Sequence, residues 1–185
     1  MKKIVLTGGP CAGKTTALPI LKQRLEQRGM RVALFQEIAT EVLEEGISPS
    51  SHGVYAFQKE IFERQRRRED AEAETADLLL LDRGLMDHKA YLPATLFERL
   101  LHEEGESCES LLGRYDGVLV LQTVAGHGVY RKETNAHRLE NEEEASAMDQ
   151  RFVESWCRHP GFVRIEAMDD FEQKINRMEE AIIRI

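Results

Sequence analysis

Residues Gly8-Gly9-Pro10-Cys11-Ala12-Gly13-Lys14-Thr15-Thr16 fit the pattern G-x-x-x-x-G-K-[ST]. No other stretch restricts the fold as strongly. A short apolar strand, Lys3-Ile4-Val5-Leu6-Thr7, precedes it, and Leu18, Leu21 and Leu25 follow at helical spacing. Strand, glycine-rich turn and helix make a frame whose backbone N–H groups converge on an anion. Gly8 and Gly13 lack a side chain, so the chain can bend sharply and approach phosphates closely. The helix start that follows favours negative charge. In this reading the whole run from Gly8 to Thr16, including Gly9, Pro10, Cys11 and Ala12, wraps the phosphates of ATP or GTP. Lys14 reaches the β- and γ-phosphates, Thr15 offers its hydroxyl to Mg²⁺, and Thr16 faces the α-phosphate.

The chain has 185 residues, enough for one domain with a core of its own. Its formal net charge of −8 argues against broad binding to nucleic acid or anionic membranes. Cys11, Cys108 and Cys157 are odd in number and widely spaced, form no metal pattern, and suggest a reducing compartment. The chain opens directly on a strand, and no apolar run approaches membrane length. A cytoplasmic protein is the expectation. The expected partner is a small-molecule phosphoryl acceptor, with no nucleic acid and no membrane. The oligomeric state is left open.

In chain order, a helix is expected from about Gly13 to Arg28, with Pro19 inside it, closed by Gly29. Arg31 to Phe35 reads as a second strand with Glu37 just past its C-terminal end. Ligands of open α/β sheets bind at such strand ends, so Glu37 either works as a base or metal organiser or merely starts the next helix, Ile38 to Glu45. Residues Gly46 to Gly53 read as a loop and Val54 to Thr75 as a long helix. Its arginine-rich second half is a solvated face, while Gln58 or one arginine could turn to a substrate.

Leu78 to Leu81 then form an apolar run ending in Asp82, as in a buried parallel strand that delivers an acid to the Mg²⁺ shell. Arg83 beside it either binds phosphate or pairs with a helix, and Asp87 is either an acceptor-site residue or a cap. Pro93 to His102 should be helical, followed by a loop from Glu103 to Ser107. Tyr115 to Gln122 is a fourth strand. The segment from about 123 to 138, with Arg131 and Arg138, reads as a lid or as a plain surface loop. A helix from Leu139 to Trp156, a strand at Phe162 to Ile165, and an amphipathic helix carrying Phe171, Ile175, Met178 and Ile182 close the chain. The fold class expected is a three-layer α/β P-loop domain. Its five-stranded parallel sheet would carry helices on both faces, as in nucleotide kinases.

GGPCAGKTT, the strand-end Glu37, LLLLDRGLMDHKAYL, the YDGVLVL strand and an arginine-containing lid together resemble the compact P-loop domain catalogued as AAA-like. They are similar to the ribosylnicotinamide kinase part of a bifunctional NAD regulator and to the GTP-binding domain of TRPL translocation defect protein 14. The stretch from Asp82 to Tyr91 is also similar to thymidylate kinases, and the strand-end acid and acid–Arg motif to deoxynucleoside kinases. The resemblance implies that Glu37 is base or metal organiser, that Asp82 is metal-linked, and that Arg83, Arg131 and Arg138 bind phosphate. Position 84 is Gly where those kinases carry Tyr or Ser. Gln58 is followed two helical turns on by Gln65 where deoxynucleoside kinases carry Arg. No N-K-x-D guanine motif occurs.

The expected activity is Mg²⁺-dependent transfer of the γ-phosphoryl group to a small acceptor such as a nucleoside or nucleotide. The expected catalytic set is Lys14, Glu37, Asp82, Arg83, Arg131 and Arg138, with Thr15 and Asp82 at the metal. The alternatives are a regulatory ATP- or GTP-binding module with slow hydrolysis and a protein partner, and a nucleoside triphosphatase.

Overall fold

The structure, a computed structural model, describes residues 1–71, 76–123 and 142–185. Five parallel strands form one sheet in the order β2-β3-β1-β4-β5. They are β1 (Lys2–Gly8), β2 (Val32–Phe35), β3 (Leu78–Asp82), β4 (Gly117–Leu121) and β5 (Phe162–Ile165). The central strand β1 pairs with β3 on one side, bringing Leu6 opposite Asp82, and with β4 on the other, bringing Gly8 opposite Leu121. The chain winds outward from β1 to β2, returns to β3, and crosses β1 to reach β4 and β5. That reversal opens a crevice off the C-terminal ends of β1, β3 and β4, where open α/β sheets take their ligands.

The apolar strand runs follow from burial on two faces. Ile4, Leu6, Leu78, Leu80, Leu119 and Leu121 face α1 (Lys14–Gln27) and α9 (Phe171–Arg184), which contribute Leu21, Leu25, Ile175 and Met178. Their alternates Val5, Leu79, Leu81, Val118 and Val120 belong to the core of the opposite face, with Phe62, Phe152 and Trp156. Phe62 comes from α4 (Val54–Ala71), and Phe152 and Trp156 from α8 (Glu142–Trp156). On this second face also lie α2 (Ile38–Glu44) and the short segments after β3: a 3₁₀ turn at Leu85–Asp87, α5 (His88–Tyr91) and α6 (Ala94–Glu104).

One short helix interrupts the stretch Gly46 to Gly53, expected to be a loop, and another fills residues 108–112, which the sequence left without an element. In α3 (Pro49–His52), the Ser48 side chain accepts from the Ser51 N–H while Ser51 Oγ accepts from the Ser48 N–H. Ser107 and Ser110 repeat the arrangement at α7 (Cys108–Leu112). Reciprocal serine caps satisfy the free N–H groups of a single turn, so serine clusters that read as loop hold helix starts here. The first turn of the loop expected at Glu103 to Ser107 belongs instead to α6, which ends at Gly105 with φ 67°. Strand β2 begins at Val32 rather than Arg31, whose guanidinium is paired with Asp77 at 2.7 Å. Of the long helix expected to reach Thr75, the described part ends at Ala71. Its arginines are paired with acids as expected: Arg64 with Glu45 at 2.6 Å, Arg66 with Glu104 at 2.8 Å, and Arg68 with Glu41 at 2.5 Å. The segment 124–141, with the proposed lid and Arg131 and Arg138, lies outside the described residues. Among the described residues no helix is long and apolar enough to cross a membrane.

Gly84 has a packing reason. A Cβ there would stand 2.8 Å from the Trp156 ring and 2.9 Å from Val5 Cγ2. The fully buried indole thus occupies the space that the Tyr or Ser of the resembling kinases would need. Gly84→Ala should overpack this contact and cost about 1–3 kcal/mol, read as a lower melting temperature. An unchanged melting temperature would mean that the indole moves aside freely.

Candidate functional site

The loop between β1 and α1 has the geometry that its glycines foretell. Gly8 adopts φ 140°, and a Cβ on it would lie 2.2 Å from the Leu121 carbonyl oxygen. Gly13 is left-handed at φ 88° and forms the N-cap of α1 with no side-chain cap. The N–H groups of the first helical turn are therefore open to an anion. Thr15 and Thr16 are exposed on that turn. Lys14 is buried and folds back, its Nζ donating to the carbonyls of Gly8 at 2.9 Å and Gly9 at 3.0 Å. Burial, and then the nearby Arg83, lower its pKa to about 8, against the pull of Asp82, Glu37 and Asp87.

Two residues that the sequence reading passed over hold this loop from behind. Asp149 of α8 accepts from the Gly9 N–H at 3.2 Å and from the Thr123 N–H at 2.8 Å. Lys174 of α9 donates to the Ala12 carbonyl at 3.0 Å and to the Gln122 carbonyl at 2.8 Å. Both sit in charged amphipathic helices, and nothing in their spacing marks them. Their signal is burial, since each is less than a tenth exposed. Burial also lowers the Lys174 pKa to about 8.

At the end of β3, Asp82 is buried, and its Oδ1 has no hydrogen-bond partner among the described residues. Burial is the largest influence on its carboxyl. Although Lys14 opposes the shift and Glu37 adds to it, the result is a pKa raised to about 6. An unpartnered carboxylate oxygen at a strand end and an exposed threonine hydroxyl at the helix start are hard-oxygen donors of the kind that suits Mg²⁺. Thr15 and Asp82 are thus the residues fit to hold that ion. Because folding raises this pKa, the ionised carboxylate opposes folding. The cost is absent below about pH 4 and complete once pH exceeds 6. Asp82→Asn should therefore raise the metal-free melting temperature at pH 7.5, by on the order of 1–3 kcal/mol of stability, and the gain should vanish at acid pH. A lower melting temperature at pH 7.5 would contradict this.

Arg83 follows with φ 74°, a left-handed backbone that costs a non-glycine residue about 1–3 kcal/mol. Its Nε donates to Glu37 Oε1 at 2.6 Å, and its Nη1 lies 3.5 Å from the Gly8 carbonyl oxygen and 3.8 Å from Asp87 Oδ2. The guanidinium stands 5.4 Å from the ring centres of both Tyr91 and Phe152. Arg83 does pair with a carboxylate, but one at the site rather than on a distant helix. Glu37 does precede α2, yet its side chain makes no capping bond. Asp87 stands at the N-cap of α5 but likewise makes no side-chain capping bond. It is buried and accepts from Thr7 Oγ1 at 2.7 Å and Trp156 Nε1 at 2.6 Å.

Beside Glu37 and Arg83 opens a small pocket of about 150 Å³. Its walls include Ile38, Phe57, Ile61 and Tyr91, with Gln58 and His88 as an uncharged polar pair joined at 2.7 Å. Burial, and then Arg83, lower the His88 pKa to about 3, so the ring is neutral at physiological pH. A wider, shallow groove of about 590 Å³ runs along the edge strand β2, but neither Lys14 nor Asp82 lines it. The crevice thus brings together Lys14, Glu37, Asp82 and Arg83, four residues from three separate chain segments. Lys14 belongs to the loop built for anions, and Glu37, Asp82 and Arg83 line the small pocket.

The AAA domain family matches residues 3–174. Among curated proteins none matches the chain. Among solved structures, a deoxyadenosine kinase from M. mycoides with bound dATP shares the fold at a TM-score of 0.62 and 14% identity. That alignment covers 98% of this chain and 99% of the kinase. With the loop, the parallel sheet and the match over nearly its whole length, the chain belongs to the AAA domain family and has a compact P-loop kinase-like fold.

Proposed function

We propose that this protein is a phosphotransferase that moves the γ-phosphoryl group of ATP or GTP to a hydroxyl on a small acceptor bound in the pocket beside Glu37. The observation that carries this reading is the pocket itself. It is lined by Glu37, Asp82 and Arg83 at the strand ends. A nucleotide switch has no need of a second cavity there.

The open N–H groups of the Gly8–Thr16 loop and of the first turn of α1 bind the donor phosphates. Lys14 exchanges the Gly8 and Gly9 carbonyls for phosphate oxygens. Thr15 and Asp82 would hold Mg²⁺, which would supply charge neutralisation for the donor phosphates. Glu37 accepts the proton of the acceptor hydroxyl as its oxygen bonds to the γ-phosphorus, and the bond to the β-phosphate oxygen breaks. Arg83, held against Gly8, stabilises charge on the group in transfer.

The pocket chemistry favours a nucleoside over a nucleotide acceptor. Glu37, Asp82 and Asp87 all line the pocket, so an acceptor that carried its own phosphate would meet three carboxylates there. An uncharged ring would instead meet Phe57, Ile61 and the neutral Gln58–His88 pair. The test is Mg²⁺-dependent release of ADP or GDP with and without nucleosides, nucleoside monophosphates and nicotinamide riboside. Strong stimulation by one nucleoside supports the reading. Slow release indifferent to every acceptor favours a switch, and fast indifferent release favours a triphosphatase.

A further inference from the structure

We infer that a buried polar network of Gln65, Glu69 and Tyr115 is the device that holds Arg83 in its left-handed conformation, and that all three are positioning residues for its guanidinium. The inference rests on the phosphotransferase reading above. Arg83 must be held by something, because its backbone lies where L-residues rarely go. Its N–H donates to the Leu6 carbonyl at 3.0 Å, an extension of the β1–β3 ladder. Its carbonyl receives Gln65 Nε2 at 3.2 Å, from the middle of α4. Two residues on, the Leu85 N–H donates to the Tyr115 hydroxyl at 2.9 Å, just ahead of β4. The backbone of residues 83–85 is therefore gripped on both sides by side chains from two other elements.

Glu69 joins the two grips. It accepts from Gln65 Nε2 at 2.8 Å and from the Tyr115 hydroxyl at 3.1 Å, and Arg114 balances its charge at 3.4 Å. The amide orientation of Gln65 is determined, because both neighbours of its nitrogen are acceptors and only an NH₂ group can serve two of them. The Tyr115 hydroxyl has one proton, which goes to Glu69, and it accepts from Leu85. Each group in this chain depends on the next, and Gln65, Glu69 and Tyr115 are all nearly inaccessible to solvent. Lengthening α4 or shifting its register would move Gln65 off the Arg83 carbonyl. Gln65 stands where the resembling deoxynucleoside kinases carry Arg. Here that position holds backbone through a neutral amide rather than offering a charge to a ligand.

The test separates positioning from general stability. Tyr115→Phe removes one hydroxyl that neither lines the pocket nor touches the Gly8–Thr16 loop. With the best acceptor identified, its kcat should fall about tenfold while KM for the nucleotide stays within about twofold. In an Arg83→Asn background, which lacks the guanidinium and tolerates a left-handed φ, adding Tyr115→Phe should change kcat by less than about twofold. Gln65 also lines the acceptor pocket, so Gln65→Leu serves as the second variant, should Tyr115→Phe lower the folded fraction, only with the acceptor saturating: its kcat should then fall in the same way and be equally insensitive in the Arg83→Asn background. Equal losses with and without Arg83, or an unchanged kcat in both single variants, would overturn the inference while leaving phosphoryl transfer intact. Absence of any transfer by the wild-type protein would instead overturn the underlying reading, and this inference with it.

Discussion

Lys14→Ala should lower the rate of phosphoryl transfer by on the order of a thousandfold while the protein remains folded. The ammonium is the one cation that the Gly8–Thr16 loop itself carries, and it is already at the loop, 2.9 Å from the Gly8 carbonyl. Donor phosphates would replace those carbonyls as its partners, so the charge is in place before the reaction needs it. The fold should tolerate the change. Burial lowers the Lys14 pKa to about 8. Protonated Lys14 therefore opposes folding below pH 8, and this cost fades as pH rises from 8 towards 10.5, its ordinary value. Removing it at pH 7 offsets the two lost hydrogen bonds, and the ligand-free melting temperature should shift by no more than about 2–4 °C. The stabilisation that Mg²⁺–nucleotide gives the wild-type protein should largely disappear. A variant that transfers at the wild-type rate would remove Lys14 from the site.

Glu37→Gln should have an effect of comparable size through a different step. The amide keeps the shape and can still meet Arg83, which donates to Oε1 at 2.6 Å in the wild-type protein. It cannot take a proton, so kcat should fall by about 10²–10⁴-fold with little change in KM for the nucleotide. The loss should be specific to hydroxyl acceptors. Measuring kcat and KM for donor and acceptor separately checks this, and a raised nucleotide KM with unchanged kcat would assign Glu37 to the metal shell instead.

Much of this site was legible because it follows from local rules. The loop glycines and Lys14 are bound by spacing, and Asp82 and Glu37 by their place at the ends of apolar runs. Their convergence is a property of parallel strands, whose C-terminal ends share one edge of the sheet. What was not legible depends on contacts between segments far apart in sequence. Asp149 and Lys174 look like ordinary residues of charged helices until folding carries them under the loop. Gln65 and Tyr115 act on Arg83 through its backbone, which no residue pattern encodes. The short helices α3 and α7 were missed because serine serves equally as a turn residue and as a helix cap. Asp87 read as either an acceptor-site residue or a cap, and its burial as an acceptor was hidden because Trp156, sixty-nine positions away, supplies a donor.

The most direct measurement is the fate of the phosphoryl group itself. Nucleoside triphosphate labelled at the γ-phosphate would be incubated with Mg²⁺, the wild-type protein and each acceptor in turn, and the products separated. The account predicts that the label appears on a nucleoside hydroxyl, that nucleoside monophosphates receive little, and that Lys14→Ala and Glu37→Gln both suppress the labelled product. Label appearing only as inorganic phosphate, at a rate unaffected by every acceptor, would contradict it.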